Sequence, residues 1–217
     1  MAREGIPFLI VCVLVGTLFF ATGHPRVAGF FIIPFLFIAF FFRDPVRLPP
    51  TGGDLIVSPA DGKVIAIENV DQSPIGDKAT KISIFLSIFN VHINRAPVPG
   101  KIERIEYKPG HFFVASNARA SEQNERNTFF IDSPHGKIAF SQVAGIIARR
   151  IVCWKKEKDS VTIGEKVGMI MFGSRVDLFL PEAVVPAVRI GDSVAGGTSI
   201  IGRVERKETA VGVESHR

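Results

Sequence analysis

From residue 6 to residue 42 the chain carries a single charged side chain, Arg26. Two apolar runs, residues 6–21 and 27–42, are parted by T-G-H-P-R at 22–26, a cluster of turn formers with one cation. Each run makes a helix of roughly 25 Å, slightly short of a ~30 Å hydrocarbon core. Two short spans or a hairpin that dips into the bilayer both fit this length. A cleaved signal peptide fits less well, because no A-x-A-like site follows the first run and a second apolar run does. Arg3 before the hairpin and Arg43 and Arg47 after it stand against Arg26 in the loop, so the positive-inside rule directs both ends to the cytoplasmic side. Pro45, Pro49 and Pro50 then stop any helix and form a stiff linker.

The rest of the chain has a different pattern. Short apolar or alternating runs recur at 55–57, 64–67, 81–86, 102–107, 128–131, 138–143, 161–163, 167–172, 176–180 and 198–204, with Gly, Pro, Asn and Asp between them. No long amphipathic helix is evident after residue 50, so a β-rich sandwich or barrel is expected. Gly164-Glu-Lys-Val and Gly191-Asp-Ser-Val repeat a turn followed by a glycine-bounded apolar run, in the manner of biotinyl/lipoyl-type barrels. Lys63 is a poor match to the modified lysine of such carriers, so that likeness concerns architecture only. The net charge of +5 and pI near 9.4 suit an anionic surface, either nucleic acid or acidic lipid. Cys12 and Cys153 are far apart and give no disulfide framework, and a reducing compartment fits better. No metal-ligand spacing such as C-x-x-C or H-E-x-x-H occurs.

Three stretches combine reactive side chains with rigid turns. V-G-M-I-M-F-G-S-R-V-D-L-F-L-P at 167–181 joins two strand-like runs through Gly173-Ser174. With no side chain on Gly173, the Ser174 hydroxyl can approach the preceding carbonyl carbon, the first step of an N→O acyl shift. A glycine bulge in a strand is the plain alternative. S-P-A-D-G at 58–62 offers Asp61, which an Asx-turn would also explain. F-N-V-H-I-N-R-A-P at 89–97 offers His92 as a candidate base, against the alternative of a satisfied core histidine. R-R-I-V-C-W-K-K at 149–156 sets the single Trp among four cations. It suits an anionic headgroup layer or a gatekept strand edge.

Taken together, F-F-R-D-P-V-R (41–47), S-P-A-D-G-K-V, F-N-V-H-I-N-R-A-P-V-P-G, N-E-R-N (124–127) and F-G-S-R-V-D-L-F-L-P resemble the phosphatidylserine decarboxylase family in its short form. The resemblance runs from about residue 41 to residue 202. It implies a mainly β, barrel-sandwich (biotinyl/lipoyl-like) catalytic domain at 49–206, after a membrane-anchoring hairpin and linker at 1–48, with a flexible tail at 207–217. It implies a proenzyme that cuts itself between Gly173 and Ser174 into chains 1–173 and 174–217. By the family's motifs His92 deprotonates Ser174 and Asp61 orients His92, and Ser174 becomes a covalent pyruvoyl group. That cofactor, with no metal and no PLP, forms a Schiff base with the amine of phosphatidylserine and takes up the electrons left when CO₂ departs, giving phosphatidylethanolamine. The implied setting is the cytoplasmic face of the cell membrane. The implied partners are an anionic lipid surface and the two chains of one proenzyme, alone or in a higher homo-oligomer, and no nucleic acid.

One departure stands out. Many long-form members carry a second His, assigned to decarboxylation, where this chain has Phe89, so that step falls to His92 or to His111. Two rivals remain at this level. A non-catalytic membrane-tethered adaptor predicts an intact chain, and a pyruvoyl enzyme for another headgroup predicts cleavage without turnover of phosphatidylserine.

Overall fold

The computed structural model describes residues 1–76, 78–110, 124–145, 150–171 and 174–205. Gly173, His111, Arg149, the Phe112-Phe113 pair and the tail from 206 lie outside the described residues. Within these residues the chain is mainly β, with its longer helices confined to the N-terminal part.

After one 3-10 turn, Arg3–Gly5, helix α1 (Ile6–Ala21) runs through the first apolar stretch. The Thr22 hydroxyl closes it by donating to the Leu18 carbonyl at 3.0 Å. The second stretch is not the single helix expected over 27–42. It forms α2 (Pro25–Phe30) and α3 (Ile32–Phe41), interrupted at Phe31. Pro34 is the cause, since it lacks the N–H that would bond to the Phe30 carbonyl and its ring crowds that carbonyl. Phe31 N–H instead reaches back three residues to Ala28 O at 3.1 Å. No side of α1 is polar, and Leu14, Leu18 and Phe20 are each more than 60% exposed. The helical stretch Arg3–Ala21 is long and apolar enough to cross a membrane, and Pro25–Phe41 is shorter.

Among the described residues the strands that follow are β1 (Leu55–Val57), β2 (Gly62–Val70), β3 (Ala79–Leu86), β4 (Ile93–Arg95), β5 (Gly100–Lys108), β6 (Arg126–Ser133), β7 (Gly136–Ala144), β8 (Arg150–Cys153), β9 (Ser160–Val161), β10 (Lys166–Met171), β11 (Ser174–Pro181), β12 (Val184–Pro186), β13 (Ser193–Val194) and β14 (Ile200–Val204). An antiparallel eight-stranded sheet has the order β13-β2-β3-β11-β7-β6-β5-β9. Two three-stranded sheets, β1-β14-β12 and β4-β10-β8, accompany it.

Side-chain alternation gives the large sheet an apolar face. Val176, Leu178 and Leu180 of β11 lie beside Ile84 and Ile82 of β3 and Phe140 of β7, all fully buried. The small sheets contribute Ile56, Val167, Ile170 and Ile201 to the same core. A second apolar cluster joins the hairpin's end to this body: Phe41 and Phe42 pack with Val91, Ile93, Met169 and Met171.

Strands β10 and β11 do not form a hairpin. β10 ends at Met171 in a three-stranded sheet, and β11 begins at Ser174 in the centre of the eight-stranded one. The Gly-Ser step therefore falls where the chain leaves one sheet for another.

Candidate active site

Ser174 is the first residue of a strand held on both sides. Its register partners are Leu86 on β3 and Ala144 on β7. Counting back by two from Val176 puts its side chain on the buried apolar face. The residue is fully buried, and its hydroxyl has no hydrogen-bond partner among the described residues. A buried hydroxyl without a partner is costly and uncommon.

His92 precedes β4, which pairs with β10 just upstream of the same step. Its carbonyl accepts from Ile170 N–H at 3.3 Å. Its imidazole is fully buried and lies against the Phe41 ring, with centroids 4.2 Å apart and planes tilted by 33°. Nδ1 is 2.9 Å from the Asn90 carbonyl, which can only accept, so Nδ1 carries the proton and Nε2 the lone pair. That Nε2 is buried and has no partner among the described residues. Burial lowers the His92 pKa to about 4; the Asn90 hydrogen bond opposes the shift and the charge of Arg43 adds to it. At neutral pH His92 is an uncharged imidazole with a free basic nitrogen.

Asp61 is held elsewhere. One carboxylate oxygen accepts from Arg47 Nη2 at 2.7 Å and the other from Gly196 N–H at 2.8 Å. The turn that carries it needs Gly62, whose φ of 153° is paired with a close approach. A Cβ there would lie 2.2 Å from the Phe85 carbonyl oxygen. Asp61 makes no hydrogen bond to His92 among the described contacts, where the orienting partner of Nδ1 is the Asn90 carbonyl. The structure thus buries both Ser174 and His92 and pairs Asp61 with Arg47. Gly173 and His111 lie outside the described residues.

A chain of buried amides also reaches this region. Asn127 Nδ2 donates to Gln142 Oε1 at 3.1 Å, and Gln142 Nε2 donates to Asn94 Oδ1 at 2.9 Å. Asn94 Nδ2 is buried with no partner among the described residues. Gln142 lies opposite Val176, next but one to the Ser174 position on the same sheet face. Gly168 gives the amide its room, since a Cβ there would lie 3.0 Å from Gln142 Nε2. Sequence reasoning did not single out Gln142. The available signal was a glutamine on the inward phase of an otherwise apolar alternating strand, after Ile138 and Phe140.

Known proteins give an independent comparison. The family model described as phosphatidylserine decarboxylase matches residues 35–202. A phosphatidylserine decarboxylase proenzyme of Desulfotalea psychrophila is 45% identical over 207 residues, 94% of this chain and 96% of its own length. That of Nitratidesulfovibrio vulgaris is 47% identical over 201 residues, covering 92% and 93%. That of Syntrophus aciditrophicus is 46% identical over 205 residues, covering 93% and 96%.

Proposed function

Because the chain belongs to the phosphatidylserine decarboxylase family, we propose that it is a self-processing, membrane-anchored decarboxylase of phosphatidylserine whose cofactor is made from Ser174. The observations that support this reading are a buried Ser174 hydroxyl and a buried, neutral His92 Nε2, neither with a hydrogen-bond partner among the described residues. A neutral imidazole can take the hydroxyl proton at physiological pH without first shedding one. Loss of that proton lets Oγ attack the Gly173 carbonyl carbon. The peptide C–N bond breaks, an ester to Oγ forms, and the proton passes to the released Ser174 nitrogen. Removal of the Ser174 α-proton then expels the Gly173 carboxylate and leaves a dehydroalanine. Water replaces its nitrogen, ammonia leaves, and the strand begins with a pyruvoyl group. The sum is proenzyme plus water giving two chains plus ammonia.

That ketone supplies the electron sink that no ordinary side chain provides for an amino-acid decarboxylation. The chain's own part is to exclude water around the new end of β11, whose neighbours Leu86, Ala144 and Val176 are fully buried. In this reading His92 moves the proton, and Asp61 contributes through its fixed ion pair with Arg47.

The N-terminal hairpin supplies access to a lipid substrate. Its exposed apolar surface is the kind that a bilayer covers. Trp154 stands at its foot, with the indole N–H donating to Glu4 at 2.7 Å and Lys155 and Lys156 beside it in the chain. Such an arrangement suits the headgroup layer of an anionic membrane. With Arg3, Arg43 and Arg47 at the same end, the catalytic body is assigned to the cytoplasmic side.

The deciding experiment is intact mass of the purified protein beside Ser174→Ala. Two fragments ending and beginning at Gly173 and Ser174, the smaller lighter than its sequence by one ammonia, are expected for the wild type. Release of CO₂ from phosphatidylserine in mixed micelles then tests the substrate. A single uncut chain in both samples overturns the reading.

A further inference from the structure

The motif F-F-R-D-P-V-R at 41–47 belongs to the end of the anchor, yet almost every residue in it is tied to the catalytic body. Phe41 and Phe42 are fully buried in the cluster with Val91, Ile93, Met169 and Met171. Arg43 donates to the Phe89 carbonyl at 2.7 Å, three residues before His92. Asp44 pairs with Lys166 at 2.5 Å, and the Pro45 carbonyl accepts from Arg95 at 3.2 Å. Arg47 pairs with Asp61 at 2.7 Å, both side chains about one-seventh exposed. Only Val46 is open to solvent, at 93%.

Two of these contacts fall on the residues that the proposed processing uses. The Phe41 ring is the wall against which the His92 imidazole lies, and the Asn90 carbonyl fixes the other edge of that imidazole. The Arg47 guanidinium takes one oxygen of Asp61 while Gly196 N–H takes the other, so both carboxylate oxygens are committed. Surface linkers do not ordinarily place a buried aromatic ring and a part-buried cation on a reactive pair.

We propose that Phe41 and Arg47 are positioning residues for self-cleavage: Phe41 holds the His92 imidazole in its dry, neutral orientation, and Arg47 holds the Asp61 carboxylate. Docking of the anchor's end is then a condition for the cut. This rests on the processing reading above. The charge that acts on His92 is Arg43, two residues after Phe41, while the Arg47–Asp61 and Arg95–Asp44 ion pairs lie on neighbouring segments.

The test uses the full chain made by cell-free synthesis into lipid nanodiscs, following the appearance of both fragments from pH 4 to 8. Wild-type cleavage and an inert Ser174→Ala establish the processing reading by themselves; if the wild type stays whole, that reading fails and this inference with it. Given wild-type cleavage, Phe41→Leu is expected to slow the cut by about tenfold or more. Its acid limb should also move up from near 4 towards 6.5, because water reaches the imidazole. Phe41→Tyr should restore the low limb. Arg47→Ala is expected to lose about tenfold, and Arg47→Lys to regain most of it. Folding is checked by thermal unfolding of each change in the uncut Ser174→Ala background. Phe41→Met, which fills the volume without a ring, replaces Phe41→Leu if the latter unfolds. Rates within about twofold of wild type for both Phe41→Leu (or its replacement) and Arg47→Ala, with an unmoved acid limb, overturn the proposal.

Discussion

Burial against Phe41 makes protonation of His92 costly, and that cost has a sign. The folded-state value near 4 lies below the ordinary 6.5. Between these two values the unfolded chain binds the proton and the folded one does not. Stability therefore carries no dependence on His92 above about pH 6.5, falls as pH drops through the window, and is lower by roughly 3 kcal/mol below pH 4. Comparing unfolding of Ser174→Ala with Ser174→Ala/His92→Gln from pH 3.5 to 8 isolates this slope; parallel curves would refute it. The same group acts as base only when deprotonated, so cleavage should be flat through neutrality and reach half its rate near pH 4. A midpoint near 6.5 would show an imidazole open to water. Gln142 gives a second test at this scale. Gln142→Leu strands the Asn127 and Asn94 amides in a buried setting, and should cost about 2 kcal/mol or more, read as a lowered melting temperature of the uncut protein. Ser174 and His92 stood out as candidates from their motifs, and both are buried. The partner of Asp61 was not, because Arg47 and Gly196 come from segments whose approach only the folded register decides.

At the scale of elements, β11 is the best-secured strand near the site. It pairs along its whole length with β3 and over residues 174–179 with β7, and carries a buried ion pair on the face away from the core. Arg175 Nε lies 2.9 Å from Asp177 Oδ1, and Ser83 donates to the same oxygen at 2.7 Å. Asp177→Asn removes the anion and leaves a buried guanidinium. A loss of about 3–5 kcal/mol is expected in denaturant unfolding of the Ser174→Ala proenzyme, and a change below about 1 kcal/mol would mean that the cation finds water. The strands at 81–86, 102–107, 138–143 and 176–180 were readable in the sequence, since each has enough residues to show alternation or a bounded apolar run. β4, β8, β12 and β13 were not, at two to four residues each, too short for a period to register. R-I-V-C of β8 was read for its cations, with a gatekept strand edge as the alternative, and it is a strand. The order in which strands pair was also hidden, because β11 takes β3 and β7 as neighbours and leaves β10 to another sheet.

For the molecule as a whole, the hairpin and the β body meet through residues 41–47, with Phe41, Phe42 and their neighbours as the joint. An anchor apolar on every side should resist carbonate and high salt and yield only to detergent. Release by carbonate alone would reduce it to a peripheral contact. The strand order carries a longer consequence. Residues beyond the proposed cut supply β11, β12, β13 and β14, and all but β12 pair with a strand from before it: β11 with β3 and β7, β13 with β2, and β14 with β1. The two products should therefore elute together under native conditions and part only in denaturant, whereas separation in plain buffer would contradict the pairing. Before the cut, shape is regained within one molecule, at a rate blind to concentration. After it, the central strand of the sheet belongs to a different chain, and recovery becomes an encounter between two partners. The cut thus gives the protein a history: a copy that loses its shape afterwards has no route home on its own.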